Sequence, residues 1–574
     1  MKHKSIEHNQ KTSLKPKEGY FMQNSICTIL FHAYAAALIG GGMTLPTSVS
    51  AQVTAQQGNI QSRIADENRR RLEQEYAASS TLQSGPGVIA DVINRRELPP
   101  SGGPTLLLRT VTIGPESAFL TQEELAPIEA KYRGKRVNFS QILELVRDVN
   151  DLYAEKGIVT AVAILPPQNL NAGNLEIRLV EGQLGNVALV GERTSEDEFV
   201  FSRVTLAKGT TVDVPTASKD IELFNATNRA QLRLLLQPGA EFGYTDVLLG
   251  ITEPPQTELE VYVDNQGVTS TGEVQLSALY RRYGIMGHDD TLLTYLSFSD
   301  GSSSGTLRYE FPIHTYGTRL AASVTASSIA VVSGPTTVLD ISGKSKSADL
   351  SLSHPLFINE RWTVLGTASA FAGTSRSASA GVPLVDSKTI KYAPGVTMSY
   401  RGDNGSVATQ IQGVLGKSTD NIASTDRDIF LLSGSFNGQY RFANGLTYVA
   451  SGAWQHSNDN LLPGNLLFQI GGPTTVRGYP SNGVAGDSGY YVSSELHKQF
   501  EVKGKPLEGF VFADLGEVYS TFPSHTTLIS AGLGVNYSFS KYESASLSIA
   551  APIKESLTNQ SDYVISMMFT LSAF

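Results

Sequence analysis

"GFVFADLGEVY", residues 509–519, decides the fold. Val511, Ala513 and Leu515 fall on one side of an extended strand, and Phe512, Asp514 and Gly516 fall on the other. One face is apolar and the other carries a carboxylate, which suits a wall between lipid and a polar lumen. Working outward, segments of about ten residues with the same alternation recur from Leu259 to Phe574. They include "LEVYVDN", "DTLLTYLSFS", "RWTVLGTASAF" and "LTYVASGAWQ". Turn signals separate them, among them Tyr316-Gly317, Asn359-Glu360 and Asn444-Gly445. Roughly 320 residues at about twenty per strand and connection predict about 16 strands, an even number as closed antiparallel barrels need. The soluble alternatives are a pair of β-sandwiches or a propeller, but there is neither a blade repeat nor the long charged loops they would carry. In the last strand the apolar ladder of Tyr563, Ile565, Met567, Phe569 and Leu571 has the opposite parity to Phe574, on which the chain ends. Either a bulge shifts the register near Ser572 or both faces are partly apolar there.

The composition agrees with a membrane barrel outside the cytoplasm. Lys2, Lys4, Lys11, Lys15 and Lys17 precede an apolar run from Ile26 to Ile39, and Val49-Ser50-Ala51 follows. That layout predicts a signal peptide over residues 1–51, cleaved after Ala51. The single cysteine, Cys27, lies within it, so neither a disulfide scaffold nor a thiol enzyme is expected. The net charge of −9 includes a surplus of +3 from five lysines and two glutamates in the signal. The remainder, about −12, disfavours nucleic acid as a partner. Charged residues make up 17% of the chain, sparse against the roughly 25% usual in soluble domains. No stretch of 18 residues is apolar throughout, so no membrane-spanning helix is expected.

Two compact units precede the barrel. Residues 52–80 read as a polar helix whose apolar row is only Ile60, Ile64, Leu72 and Tyr76. It is either a frayed terminal segment or a helix lodged in a water-filled cavity. Residues 81–104, rich in Pro and Gly, read as a linker. Over 105–182 the pattern predicts β-α-α-β-β: a strand at 105–113, helices from Thr121 and over Ser140 to Lys156 with Gly157 as cap, then strands from Ile158 and in "NLEIRLVEG". Residues 183–255 repeat that order more loosely. A strand begins at Asn186, helices run from Ser195 to Leu206 and from Ser218 to Leu236, and "GYTDVLLGITE" closes the unit. Two such modules in tandem suggest a periplasmic arm before a barrel over 256–574.

Catalytic look-alikes do not hold up. "GDSG" at 486–489 offers Ser488 as a nucleophile, but no matching histidine motif precedes it. "GKS" at Gly343 and at Gly416 lacks the glycine of a phosphate-binding loop five positions earlier. The histidines lack metal-ligand spacing, and "RGD" at 401–403 sits before Asn404-Gly405 as a turn. No enzymatic activity, cofactor, metal or nucleotide is expected.

The chain resembles the two-partner secretion transporters (TpsB type), the haemolysin secretion/activation protein family. The residues that carry the resemblance are "LVRDVNDLYAEKG" (145–157), "LPPQNLNAGNLEIRLVEG" (165–182), "LLLQPGAEFGYTDVLLGITE" (234–253), "VDNQG" (263–267) and "GHDD" (287–290). More specific are "VRGY" at 476–479, within "GGPTTVRGYP", and "FADLG" at 512–516. The resemblance implies two polypeptide-transport-associated (POTRA) domains before a 16-stranded barrel, with residues 52–80 as a helix that plugs the pore. It implies that Val476, Arg477, Gly478 and Tyr479 lie at the tip of a loop folded into the barrel. Arg477 would then contact Asp514 of the wall motif Phe512, Asp514, Gly516. A guanidinium partly shielded from water needs such a partner, and a carboxylate offers a forked one.

The function so implied is export of a large β-rich exoprotein, unfolded in the periplasm, across the outer membrane of a Gram-negative bacterium without ATP. The client would be a TpsA-type adhesin, haemolysin or contact-dependent toxin, and the only other partner is outer-membrane lipid. An insertase that assembles other barrels shares the POTRA modules and both motifs and is the alternative. A passive porin lacks the soluble modules.

Overall fold

A computed structural model describes residues 88–89 and 104–573, apart from 242, 482, 503, 521–523 and 558–559. The expected signal peptide, the helix over 52–80 and most of the expected linker lie outside the described residues. Within that linker, Val88–Ile89 forms a short strand, β1.

The first module comprises β2 (Leu106–Leu107), β3 (Thr110–Gly114), α1 (Gln122–Tyr132), β4 (Arg136–Val137), α2 (Phe139–Glu155), β5 (Ala161–Ile164) and β6 (Asn174–Glu181). β3 runs parallel to β6, and β5 antiparallel to it. α2 starts at Asn138, whose side chain accepts the Gln141 N–H at 2.9 Å while the Gln141 carboxamide accepts the Asn138 N–H at 3.0 Å. It ends before Gly157, whose φ of 71° is the left-handed conformation that glycine enters without a Cβ clash. Its Ile142, Leu145, Val149 and Tyr153 pack on Val111, Leu175 and Ile177 to make the core. Burial raises the pKa of the Tyr153 hydroxyl, keeping it a donor to Glu181 at 2.7 Å.

The second module comprises β7 (Gln183–Val190), α3 (Asp197–Phe201), α4 (Val214–Thr227), β8 (Gln231–Pro238) and β9 (Tyr244–Thr252). Its sheet has the order β1-β8-β9-β7. Two expectations change here. The helix read from Ser218 to Leu236 stops at Thr227, and Gln231–Pro238 is a strand. The Asn225 side chain accepts the Leu232 N–H at 2.6 Å and donates to the Leu232 C=O at 3.0 Å, turning the chain back on itself. Leu232 and Leu234 then alternate into the core, where the run of leucines had read equally well as a helix face. The helix expected over Ser195 to Leu206 is only α3. The linker also changes: Val88 lies opposite Leu234 and Ile89 opposite Leu235, so this segment fills the otherwise open edge of β8.

The barrel begins with β10 (Thr257–Asp264), β11 (Gln275–Tyr283), β12 (Thr291–Ser299), β13 (Ser302–Pro312), β14 (Arg319–Ala330), β15 (Ile341–Ile358), β16 (Trp362–Ser379) and β17 (Val382–Arg401). It continues with β18 (Gly405–Asp420), β19 (Thr425–Arg441) and β20 (Leu446–Ser457), then two short strands, β21 (Phe468–Ile470) and β22 (Val484–Gly486). β23 (Ser488–Val502), β24 (Lys505–Tyr519), β25 (His525–Ser538), β26 (Glu543–Pro552) and β27 (Val564–Ala573) complete it. Sixteen strands, all but β21 and β22, form a closed antiparallel ring in which β27 pairs with β10. Val324, Leu350, Leu415, Phe430 and Val511 are exposed on the outer face. The inner face carries serine and threonine pairs such as Ser327 with Ser345 (2.7 Å) and Thr389 with Ser418 (3.2 Å). The parity of the last strand resolves without a bulge, since its register against β10 runs unbroken from Met568 to Ala573. Ile565, Met567, Phe569 and Leu571 face outward, while Met568 packs inward with Tyr262, Leu279, Leu293 and Tyr295. Both faces are therefore partly apolar there.

"GHDD" joins the second module to the barrel. Asp289 is fully buried with φ 57° and accepts the N–H of Arg229 (3.1 Å), the N–H of Ala230 (3.0 Å), the Tyr283 hydroxyl (2.5 Å) and Arg319 Nη1 (2.8 Å). Arg319 also donates through Nε to Glu310 at 2.8 Å. Across the same junction, the Glu196 N–H of the second module donates to the Gly287 C=O of the barrel at 2.9 Å. The buried charges are thus matched by donors from both bodies, which fixes the module against the barrel rim.

Which face meets lipid is directly testable. Val324→Arg places a guanidinium mid-strand on the outer face and should lower the unfolding free energy by about 2–4 kcal/mol. Thr325→Lys, its lumenal neighbour, should change it by less than about 1 kcal/mol. Urea titration of the protein in lipid vesicles reads both.

Candidate functional site

The segment between β20 and β23 does not stay outside the barrel. β21 and β22 pair as a ribbon, with Phe468 opposite Gly486 and Ile470 opposite Val484. Gly471 and Gly472 then turn the chain with φ of 108° and 97°, and the Gly471 N–H is held by Thr475 Oγ1 at 2.8 Å. The result is an apolar plug of loop and wall: Phe468, Ile470, Val476 and Tyr479 pack on Val518 and Leu528. Val476 and Tyr479 are almost completely buried.

The structure brings Arg477 and Asp514 together. Nε donates to Asp514 Oδ2 and Nη2 to Oδ1, both at 2.7 Å, and the Arg477 backbone N–H reaches Oδ2 at 3.0 Å. The guanidinium carbon lies 3.5 Å from the ring centroid of Phe512, a cation–π contact on the same strand face. Asp514 also accepts the Ser493 hydroxyl at 2.7 Å. A Cβ at Gly516 would lie 2.9 Å from Val476 Cγ2 and 3.0 Å from Ile470 Cδ1, so glycine leaves room for the loop there. Gly478 needs glycine for its backbone, at φ 85°. The Tyr479 hydroxyl lies 2.7 Å from the Lys554 carbonyl and accepts the Ile529 N–H at 3.1 Å, tying the loop to the neighbouring β25–β26 hairpin.

Three residues of the site escaped the reading of the sequence. Glu495 gives Arg477 Nη1 a second carboxylate at 2.8 Å, and Ser493 accepts from Nη2 at 2.8 Å. Beyond them, His497 bridges Glu495, at 2.8 Å, and Glu508, and stacks on Phe510. The signal was present: Ser493, Glu495 and His497 alternate along β23 opposite Asp514, Phe512 and Phe510. Register between the two strands was the missing piece. Ser488, the protease look-alike, instead bonds the backbone of Ser457, accepting its N–H at 2.9 Å.

Arg477 is 8% exposed and Asp514 is 1% exposed, so this is an ion pair largely withdrawn from water. Removing one partner leaves the other charge buried without compensation. The arrangement can hold the loop tip at one height on the wall.

The family model described as "Haemolysin secretion/activation protein ShlB/FhaC/HecB" matches residues 243–538, more than half of the chain. A second, "POTRA domain, ShlB-type", matches residues 111–182. The outer membrane transporter CdiB of Dickeya dadantii (strain 3937) is 26% identical over 419 residues, 69% of this chain and 73% of that protein. The heme/hemopexin transporter protein HuxB of Haemophilus influenzae (strain 86-028NP) is 23% identical over 463 residues, 76% of this chain and 82% of that one. The solved structure of CdiB from Escherichia coli has the same fold, with a TM-score of 0.66 at 19% identity over 89% of this chain and 98% of that chain.

The two carboxylates around Arg477 should differ in weight. Asp514→Asn removes the charge that pairs with the buried guanidinium and turns one of its two acceptor oxygens into a donor, and should weaken loop docking by about 3–5 kcal/mol. Glu495→Gln, which neutralises a carboxylate shared between Arg477 Nη1 and His497, should cost the loop about 1–2 kcal/mol. Protease protection of the 471–483 segment in assembled protein measures the difference.

Proposed function

This chain belongs to the haemolysin secretion/activation protein family, and from that premise we propose how it handles its client. It is an outer-membrane β-barrel transporter of the two-partner type, which secretes a partner exoprotein, and not an enzyme. Its client is a large β-rich exoprotein of the adhesin, haemolysin or contact-dependent toxin kind. That client is captured unfolded at the first module, without nucleotide.

The observation that carries this reading is the free edge of β5. Gly182 N–H bonds the Thr160 C=O, so by antiparallel alternation Val162 and Ile164 face β6, while Ala161 and Ala163 turn their backbone groups outward. Asn150 on α2 bonds both the N–H (2.7 Å) and the C=O (3.3 Å) of Ala163. A carboxamide mimics the next strand there and is displaced by a real one. The corresponding opening in the second module, beside β8, is filled by β1. An extended client segment therefore adds to β5, with main-chain bonds supplying affinity that is tolerant of sequence. The client then passes the lumen beside the loop that Arg477 fixes, and residues 52–80 act as the plug that must leave first.

Deleting the gene should remove one exoprotein from the cell surface while the other outer-membrane barrels remain. A general loss of barrels would instead mean an insertase. Ala161→Pro removes an outward N–H from the β5 edge and should reduce client capture by the periplasmic modules about fivefold, as one lost hydrogen bond of about 1 kcal/mol requires. Pull-down of the client's N-terminal segment measures it, with circular dichroism as the check on folding.

A further inference from the structure

The longest strands of the barrel stand together, with 18 residues in β15, 18 in β16 and 20 in β17. At about 3.3 Å per residue and a tilt of about 40°, they outreach an apolar band of about 25 Å. The chain enters β10 from the periplasmic modules, so the start of β15, the end of β16 and the start of β17 lie on the cell-surface side. The outer face of β15 reads Leu352, Leu350, Ala348, then Lys346 and Lys344, all exposed. On β17 it reads Tyr392, Ile390, then Lys388. Hydrophobic side chains thus give way to lysines at the same level on both strands.

Register sets these cations side by side. Lys346 is opposite Thr374, which is opposite Lys388; one step higher, Lys344 is directly opposite Arg376, which is opposite Asp386. Like charges in direct cross-strand register oppose folding unless something anionic sits between them. Asp386 answers Arg376 at 3.2 Å. Among the described residues no hydrogen bond or ion pair reaches the side chains of Lys344, Lys346 or Lys388, and the next cation, Lys417, is already paired with Asp426 at 2.7 Å. Below the lysines the same outer face holds a shallow groove of about 430 Å³, with Gly305 and Ala326 at its floor, Leu296, Leu307 and Val324 on its sides and Lys346 at its upper end.

We propose that the outer faces of β12 to β17 bind a phosphorylated, acylated glycolipid of the outer leaflet, lipid A. Its phosphates are held by Lys344, Lys346 and Lys388 with Arg376, and one acyl chain lies in the groove over Gly305 and Ala326. The small residues bring the chain close to the sheet, and the lysines stand where a phosphate on that chain's headgroup emerges. Anchoring there fixes the height of the tallest wall of the barrel in the membrane. A lipid lacking phosphate meets the groove but not the charge, and a soluble polyanion meets the charge but not the groove.

The test uses full-length protein purified in detergent and titrated with diphosphorylated or dephosphorylated lipid A, with retention read by native mass spectrometry. Each lysine beside an anionic headgroup is worth roughly fivefold in affinity. Lys344→Ala, Lys346→Ala and Lys388→Ala combined should therefore weaken retention of the phosphorylated form about a hundredfold, while the matching arginine triple retains it. Ala326→Phe, which fills the groove, should weaken both lipid forms. The proposal is overturned if the alanine triple retains lipid A like the wild type, or if the triple loses only self-association or exoprotein binding. Equal retention of both lipid forms by wild-type protein also overturns it, and that comparison decides the matter alone should the triple fail to assemble.

Discussion

A guanidinium held by two bonds to one carboxylate, and by a further carboxylate beside it, anchors the inward-folded loop of this molecule to the barrel wall. Arg477 spans the loop and the wall: its backbone and side chain both bind Asp514, while Nη1 turns to Glu495. Each of those groups would be costly to bury alone. Together they let a loop carrying glycines and buried apolar residues sit inside a polar lumen, because the loop brings its own core of Phe468, Ile470, Val476 and Tyr479. The wall is shaped to receive it, with Gly516 open beside Val476 and Phe512 flat beneath the guanidinium. Specific placement, rather than net stability, is what a buried ion pair of this kind supplies.

The same economy of buried charge recurs at the other end of the barrel. Asp289 takes donors from the second module and from the barrel, so the last periplasmic element cannot swing freely at the rim. A client strand added to β5 would be presented by a module next in sequence to one that is firmly seated. The edge of β8, which would otherwise compete for that strand, is closed by Val88–Ile89. Under the proposed function, recognition and passage fall to different parts of one chain.

Strand alternation made the barrel legible, because a wall with lipid on one side imposes a period of two that few other settings require. "VRGY" and "FADLG" were legible as a pair through family resemblance, and their residue types already suggested why they meet. Glu495 was not, since its place beside Arg477 depends on which residue of β23 stands opposite Phe512. "QLRLLLQP" was misread as helix because its leucines satisfy either period; the deciding group, the Asn225 carboxamide, acts on Leu232 through space. Val88–Ile89 looked like linker because two residues carry no periodicity, and their strand exists only because β8 offers an edge. What the sequence concealed was in each case a partner supplied by another element.

The central claim is that secretion depends on the loop tip being fixed to the wall by Arg477. Its most direct measurement is the amount of exoprotein reaching the cell surface in a strain carrying Arg477→Ala, alongside the heat-modifiable migration of the barrel from the same membranes. The account predicts that the exoprotein falls to near background while the folded barrel is present at the normal level. Normal secretion by that variant would contradict it.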